Sequence, residues 1–166
     1  FFEKLDIELH RSGTSSADAV VGMDALVATN PAVGVVGGID RATNAWWRNN
    51  ALPQVDTAVK GTLLNAMEKQ WRGCIAVGGG APDFILAGED FIDAYRNELT
   101  ITYNTNAGNY KTIDGGTGSG TSTGLFFKGV EILWDPKTVN LDALETVGAG
   151  TPTWKKRCYM LNSKKL

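Results

Sequence analysis

The chain has 166 residues, 43% of them hydrophobic, and sixteen Lys and Arg against eighteen Asp and Glu give a formal charge of -2. That length suffices for one domain or a modest two-lobed unit with a real core. No apolar run approaches the ~20 residues of a membrane span, and the near-neutral balance supplies no basic field of the kind that grips nucleic acid.

Twenty glycines occur in clusters, which signals long irregular connections. Cys74 and Cys158 lie far apart without metal-ligand spacing and read as two buried, reduced thiols rather than a disulfide. The sequence begins with FFEKLDIELHR, an apolar-rich element already under way. With no initiator Met or signal peptide, it reads as a fragment or processed chain whose N-terminal part is missing.

In residues 1 to 11, Phe2, Leu5 and Leu9 fit one helical face, while Leu5, Ile7 and Leu9 fit strand alternation. The Ser/Gly/Thr run at 12 to 16 ends that element, and His10 reads as a helix-end residue. The stretch GGIDRATNAWWRN at 37 to 49 follows a glycine-rich lead-in. Taken as extended over 43 to 49, it points Trp46 and Trp47 to opposite faces of a strand. Each tryptophan can bury about 150–250 Å², which at ~25 cal/mol per Å² is about 4–6 kcal/mol as an upper bound. One ring is therefore expected to fill the core and the other to lie under a mobile segment or a partner subunit. Asp40, Arg41 and Arg48 are expected to serve structural or inter-subunit ion pairing, or else to be ordinary surface charges.

Residues 53 to 72 give the clearest helix. Pro53 suits its first position and Asp56 its first turn, Val55, Val59, Leu63, Met67 and Trp71 recur every fourth residue, and Gly73 supplies a stop. Gly78, Gly79, Gly80 and Pro82 then make a turn before a buried strand at 83 to 87. Glu89 and Asp90 open a second helix with apolar face Phe91, Ile92, Tyr95 and Leu99, and Arg96 near its end. Thr100 to Asn104 alternates like a strand, and 104 to 124, almost all Asn, Gly, Thr and Ser, reads as a flexible loop. Strands at 126 to 134 and 157 to 162 follow, separated by a loop with Gly148, Gly150 and Pro152. The Lys155, Lys156 and Arg157 cluster reads as a solvated lead-in to the last strand, ahead of a polyanion site or a charge contact with a neighbouring subunit. The expected class is α+β, with two main helices and several short strands.

The chemical motifs fail on context. Gly120-Thr121-Ser122-Thr123-Gly124 matches a nucleophile elbow, but that device needs a preceding strand and a following helix. Here a low-complexity loop precedes and a strand follows, and the single histidine lies upstream. Gly116, Gly118 and Gly120 complete no phosphate-binding pattern. With one His and no local ligand cluster, neither a catalytic residue, a metal site nor a cofactor site is assigned.

The blocks GGIDRATNAWWRN, APDFILAGEDFIDAYRN, LFFKGVEILWD and CYMLNSKKL, in that order and with a long helix after the first, resemble tailed-bacteriophage major capsid proteins over residues ~37 to 166. The resemblance implies a shell protein without catalysis. Residues 1 to 36 match loosely as the end of a spine helix and its connection, so residues 1 to 11 are expected to be helical. Residues 37 to 135 become a mainly axial-type domain carrying the 104 to 124 loop, and 136 to 166 return to a peripheral-type sheet. The family's N-terminal arm and extended hairpin would precede this region. The partner implied is the protein itself, in capsomers of an icosahedral shell, with packaged DNA contacted only non-specifically and no membrane. The location implied is the virion, and the host cytoplasm during assembly. The region alone is expected to be monomeric or weakly associated. Two other readings stand beside it: a cellular nanocompartment shell of the same fold, and a glycan- or receptor-binding module using Trp46, Trp47, Asn44 and Asn49.

Overall fold

Ile85 and Ile132 are shielded completely from solvent and face each other across a parallel strand pair that organises most of the molecule. The computed structural model describes residues 2–11, 13, 20–52, 55–59, 61–78, 80–104, 122–144 and 153–164. The chain divides into two compact units, Phe1–Pro53 and Gln54–Leu166. It is an α+β protein.

The larger unit holds a four-stranded mixed sheet of β3 (Phe84–Ala87), β4 (Ser122–Phe127), β5 (Val130–Trp134) and β6 (Cys158–Leu161), in the order β4-β5-β3-β6. β3 runs parallel to β5 and antiparallel to β6. Register partners share a face, so Ile85, Ala87, Ile132, Trp134, Cys158 and Met160 look one way. That face packs on α3 (Thr62–Gly78) and α4 (Glu89–Asn104), which contribute Leu63, Met67, Trp71, Ile92 and Tyr95 to one core. Trp71 meets Phe127 edge-on, with centroids 5.7 Å apart. Phe84, Leu86 and Leu133 project from the other face and take no part in that core.

α3 starts and stops later than the periodicity predicts. Residues 55–59 are not helical, with a turn at 57–58, and Gly61 takes φ +82, outside the helical region. Thr62 therefore opens the helix, its hydroxyl donating to the Asp56 carbonyl at 2.6 Å. Pro53 lies outside the described residues. Gly73 does not end α3, which continues to Gly78; one glycine inside a helix costs only about 1 kcal/mol, and extending an existing helix needs no new nucleus. The expected strand at 100 to 104 is the end of α4. Extending an existing helix needs no new nucleus, and this outweighs a five-residue alternation. Glu98 on α4 reaches the Leu64 N–H at 3.4 Å, in the first turn of α3, where a carboxylate suits the helix N-terminus.

The single strand expected at 126 to 134 is a hairpin: Lys128 and Gly129 take φ 50 and 85, turning β4 into β5. Its tip is held by Lys128 on Glu68 of α3 at 2.8 Å. Part of the expected loop after Trp134 is α5 (Lys137–Leu144). Asp135 accepts the Lys137 N–H at 2.9 Å, Pro136 suits a first helical position, and Leu141 is wholly buried. β6 falls within the expected last strand. The 104 to 124 loop lies outside the described residues except for Asn104, which ends α4, and 122 to 124, which open β4.

The smaller unit contains α1 (Phe2–His10), α2 (Met23–Leu26) and a hairpin of β1 (Val35–Val36) and β2 (Ile39–Asp40). The first segment is thus helical, and His10 is its last residue, with Nδ1 2.8 Å from the Asp6 carbonyl oxygen. Among the described residues of this unit, only Gly22 and Arg41 are buried. Every buried hydrophobic side chain described belongs to the larger unit.

Candidate functional site

Gly37 and Gly38 take φ 61 and 79, the left-handed pair that a two-residue β-hairpin turn requires. Val36 pairs with Ile39 and Val35 with Asp40, and the Arg41 N–H extends the ladder to the Gly34 carbonyl at 3.0 Å. Asp40 then curls the chain. Its carboxylate accepts the Ala42 N–H at 2.8 Å, while its carbonyl accepts the Asn44 N–H and the Asn44 side-chain amide, both at 3.0 Å. This is the local chemistry by which Asp favours turns over extended backbone.

The predicted strand at 43 to 49 is consequently absent. Ala45–Trp47 form one 3-10 turn. Arg48 closes the loop by donating from Nε to the Arg41 carbonyl at 2.7 Å and from Nη2 to the Ala42 carbonyl at 2.8 Å. An extended segment cannot bring Arg48 back onto Arg41. Arg41 is 3% exposed, and its guanidinium donates to the carbonyl of Leu26 at the end of α2. Asn49 ties the same region together by donating to the Ala28 carbonyl at 2.9 Å.

The two indoles follow from that geometry. Trp47 Nε1 donates to the Val36 carbonyl at 3.0 Å, which lays this ring beside the hairpin. Trp46 meets it edge-on, with centroids 5.6 Å apart and planes at 65°. Trp46 is 68% exposed and Trp47 40%. The expectation that one ring fills the core is therefore wrong. The 3-10 turn places both on one corner, whereas a strand would have sent one inward.

Asp40, Arg41, Trp46, Trp47 and Arg48 are thus brought into one loop. Among the described residues, none of its three charged groups forms an ion pair. Asp40 shapes the turn, and both arginines hold backbone carbonyls. The sequence supplied the participants, but their hydrogen-bond partners are carbonyls, which no residue pattern displays.

Elsewhere, the Lys155, Lys156 and Arg157 cluster is not uniformly solvated. Lys156 is exposed, but Arg157 is 8% exposed, lies 3.8 Å from the Trp154 ring centroid and donates to the Tyr159 hydroxyl at 3.3 Å. Asp142 on α5 accepts the Trp154 and Lys155 N–H groups at 2.7 and 3.2 Å. The spacing from Trp154 to Arg157 was the available signal for that stack. Cys74 and Cys158 are free and only partly buried. Burial raises both thiol pKa values, that of Cys158 to about 12. Asp83 accepts the Ser163 hydroxyl at 2.6 Å and its N–H at 2.7 Å, which holds its carboxyl below the usual range.

Ser122 of the elbow-like motif opens β4 and no helix follows it, while Gly120 and Thr121 lie outside the described residues. The described residues contain no group of three or more His, Cys, Asp or Glu able to hold a metal ion. No described helix is long and apolar enough to cross a membrane. The chain matches no family model, and no curated protein or solved structure is detectably similar to it.

Proposed function

We propose that the chain is a structural subunit of the tailed-phage major capsid type, assembling with copies of itself into a DNA-enclosing icosahedral shell. Its place would be the virion, reached from the host cytoplasm, and it performs no catalytic step. In this reading residues 37 to 135 belong to a mainly axial-type lobe, and 136 to 166 to the peripheral-type sheet. The ordered sequence blocks supply the family. The observation that carries a contact role is the 37–49 loop: its charged side chains are engaged by backbone groups, Asp40 and Arg48 within the loop and Arg41 on the Leu26 carbonyl, and its two indoles are left outside. A loop so arranged offers contact area without a reactive group. Exposed tryptophans are costly to leave in water, and shells gain stability from many modest contacts closed by symmetry.

Electron microscopy of the full-length product tests the reading. Closed shells or capsomers are expected, with nucleic acid inside. Shells filled with protein cargo would move the assignment to the nanocompartment. The exposure of both rings also favours a second reading, glycan binding, since sugars stack on accessible indoles. A monodisperse monomer whose tryptophan emission saturates with a sugar would replace the shell reading with that one.

A further inference from the structure

We infer that the 37–49 loop is seated on the end of α2 through one buried water molecule, which accepts the Arg41 Nε–H and donates to Asn49 Oδ1. The site lies wholly within unit Phe1–Pro53 and is independent of the shell reading.

Two side chains converge where α2 ends. Arg41 Nη2 donates to the Leu26 carbonyl, and Asn49 Nδ2 donates to the Ala28 carbonyl at 2.9 Å. Those acceptors belong to residues two apart in the chain, a span of at most roughly 7 Å. Each side chain keeps one further polar atom, Arg41 Nε and Asn49 Oδ1, and both are buried without a hydrogen-bond partner in the chain. A buried polar atom left unpaired costs more than a made hydrogen bond returns, and a charged group raises that cost. Among the described residues no carboxylate pairs with Arg41 to offset it.

The opposite polarity of the two atoms selects the occupant. A chloride or carboxylate ion accepts from Nε but has no proton for Oδ1. A metal cation suits Oδ1 but meets the guanidinium charge. The Asn49 amide cannot turn over to change this, because Nδ2 is committed to the carbonyls of Ala28 and Asn50 at 2.9 and 3.4 Å. Exchanging its ends would set oxygen against oxygen. Water accepts and donates at once. Its second proton can go to the spare lone pair of the Leu26 or Ala28 carbonyl, which completes the ~3 hydrogen bonds usual for a buried water. Arg41 and Asn49 flank the Ala45–Trp47 turn. The water therefore ties the base of the turn that carries both indoles.

Nuclear magnetic resonance on the isotopically labelled full chain tests this. The Arg41 Nε–H should give a cross-peak to water with the sign of a long-lived complex. Its proton should exchange at least tenfold more slowly than that of the exposed Arg72. Oxygen magnetic relaxation dispersion then counts long-lived waters in three variants. Arg41→Lys keeps a cation for the Leu26 carbonyl but has no Nε–H, and Asn49→Leu removes the acceptor. Each should lose one long-lived water relative to the parent chain, and the double variant should lose no more than either alone, since a single molecule serves both. Loss of two waters in the double variant would mean separate sites and would overturn the bridge. The inference also fails if the parent Nε–H shows no water contact, if its resonance follows added chloride, or if both single variants keep the parent count. Amide spectra of β1 and β2 verify folding; where a variant does not fold, the parent spectra decide alone. None of these outcomes bears on shell formation, which electron microscopy decides separately.

Discussion

Arg48 shows how a charged side chain can serve as a backbone device. Its fork spans the carbonyls of Arg41 and Ala42, whereas a lysine ammonium lacks the rigid planar fork that holds two acceptors in one geometry. Arg48→Ala should destabilise the loop by about 1–3 kcal/mol, the range for hydrogen bonds to a charged donor. The readout is faster hydrogen exchange at the amides of Arg41 and Asn44, with the melting of the larger unit unchanged. On the shell reading, assembly should suffer more than melting. Cys158 gives a second test. Burial raises its thiol from 9.0 to about 12, so the folded state holds the proton more tightly than the unfolded chain. The contribution is complete below pH 9.0 and is lost as pH rises toward about 12. Stability of the parent chain should therefore fall more steeply over that window than that of Cys158→Ala, as measured by denaturant titration at each pH.

Elements were legible where one strong periodicity governed them. Leu63, Met67 and Trp71 announced α3, and Ile92 and Tyr95 announced α4. The edges were lost to single residues whose conformation outranks pattern. Gly61 at φ +82 postpones α3, and Lys128 with Gly129 splits one apparent strand into a hairpin. Gly61→Ala should cost about 1 kcal/mol or more, because an L side chain is strained at that φ, and the loss should appear in the melting of the larger unit. The fifth helix was hidden because, among its described side chains, Leu141 is the one buried hydrophobic, too few to make a period. Leu141→Ala should nevertheless destabilise by about 2–5 kcal/mol, the range for emptying a packed leucine site. The candidate loop was legible in membership and not in shape. Doublet Trp46-Trp47 suggested alternation, whereas the Asp40 hydrogen bonds reach two and four residues ahead and those of Arg48 depend on a close approach of residues six and seven apart.

For the whole molecule, stability is divided unequally. The larger unit has a continuous core on one sheet face, and the described part of the smaller has none. Local opening requires little free energy where few apolar contacts are broken. Amides of β1 and β2 should exchange with solvent orders of magnitude faster than those of β3 and β5 in the dilute protein. Equal protection of the two units in dilute solution would contradict this division.

The order of strands also sets a clock. β3 lies centrally, between β5 and β6, so its second flank is filled by residues that follow it by more than seventy positions. At ~5–20 residues per second of synthesis, Phe84–Ala87 wait roughly 4–15 s after translation before Cys158–Leu161 exist to pair with them. During that interval the nascent chain presents Ile85 on a strand with an open edge. Slowing translation between β5 and β6 should therefore lower the soluble yield more than slowing it before β3.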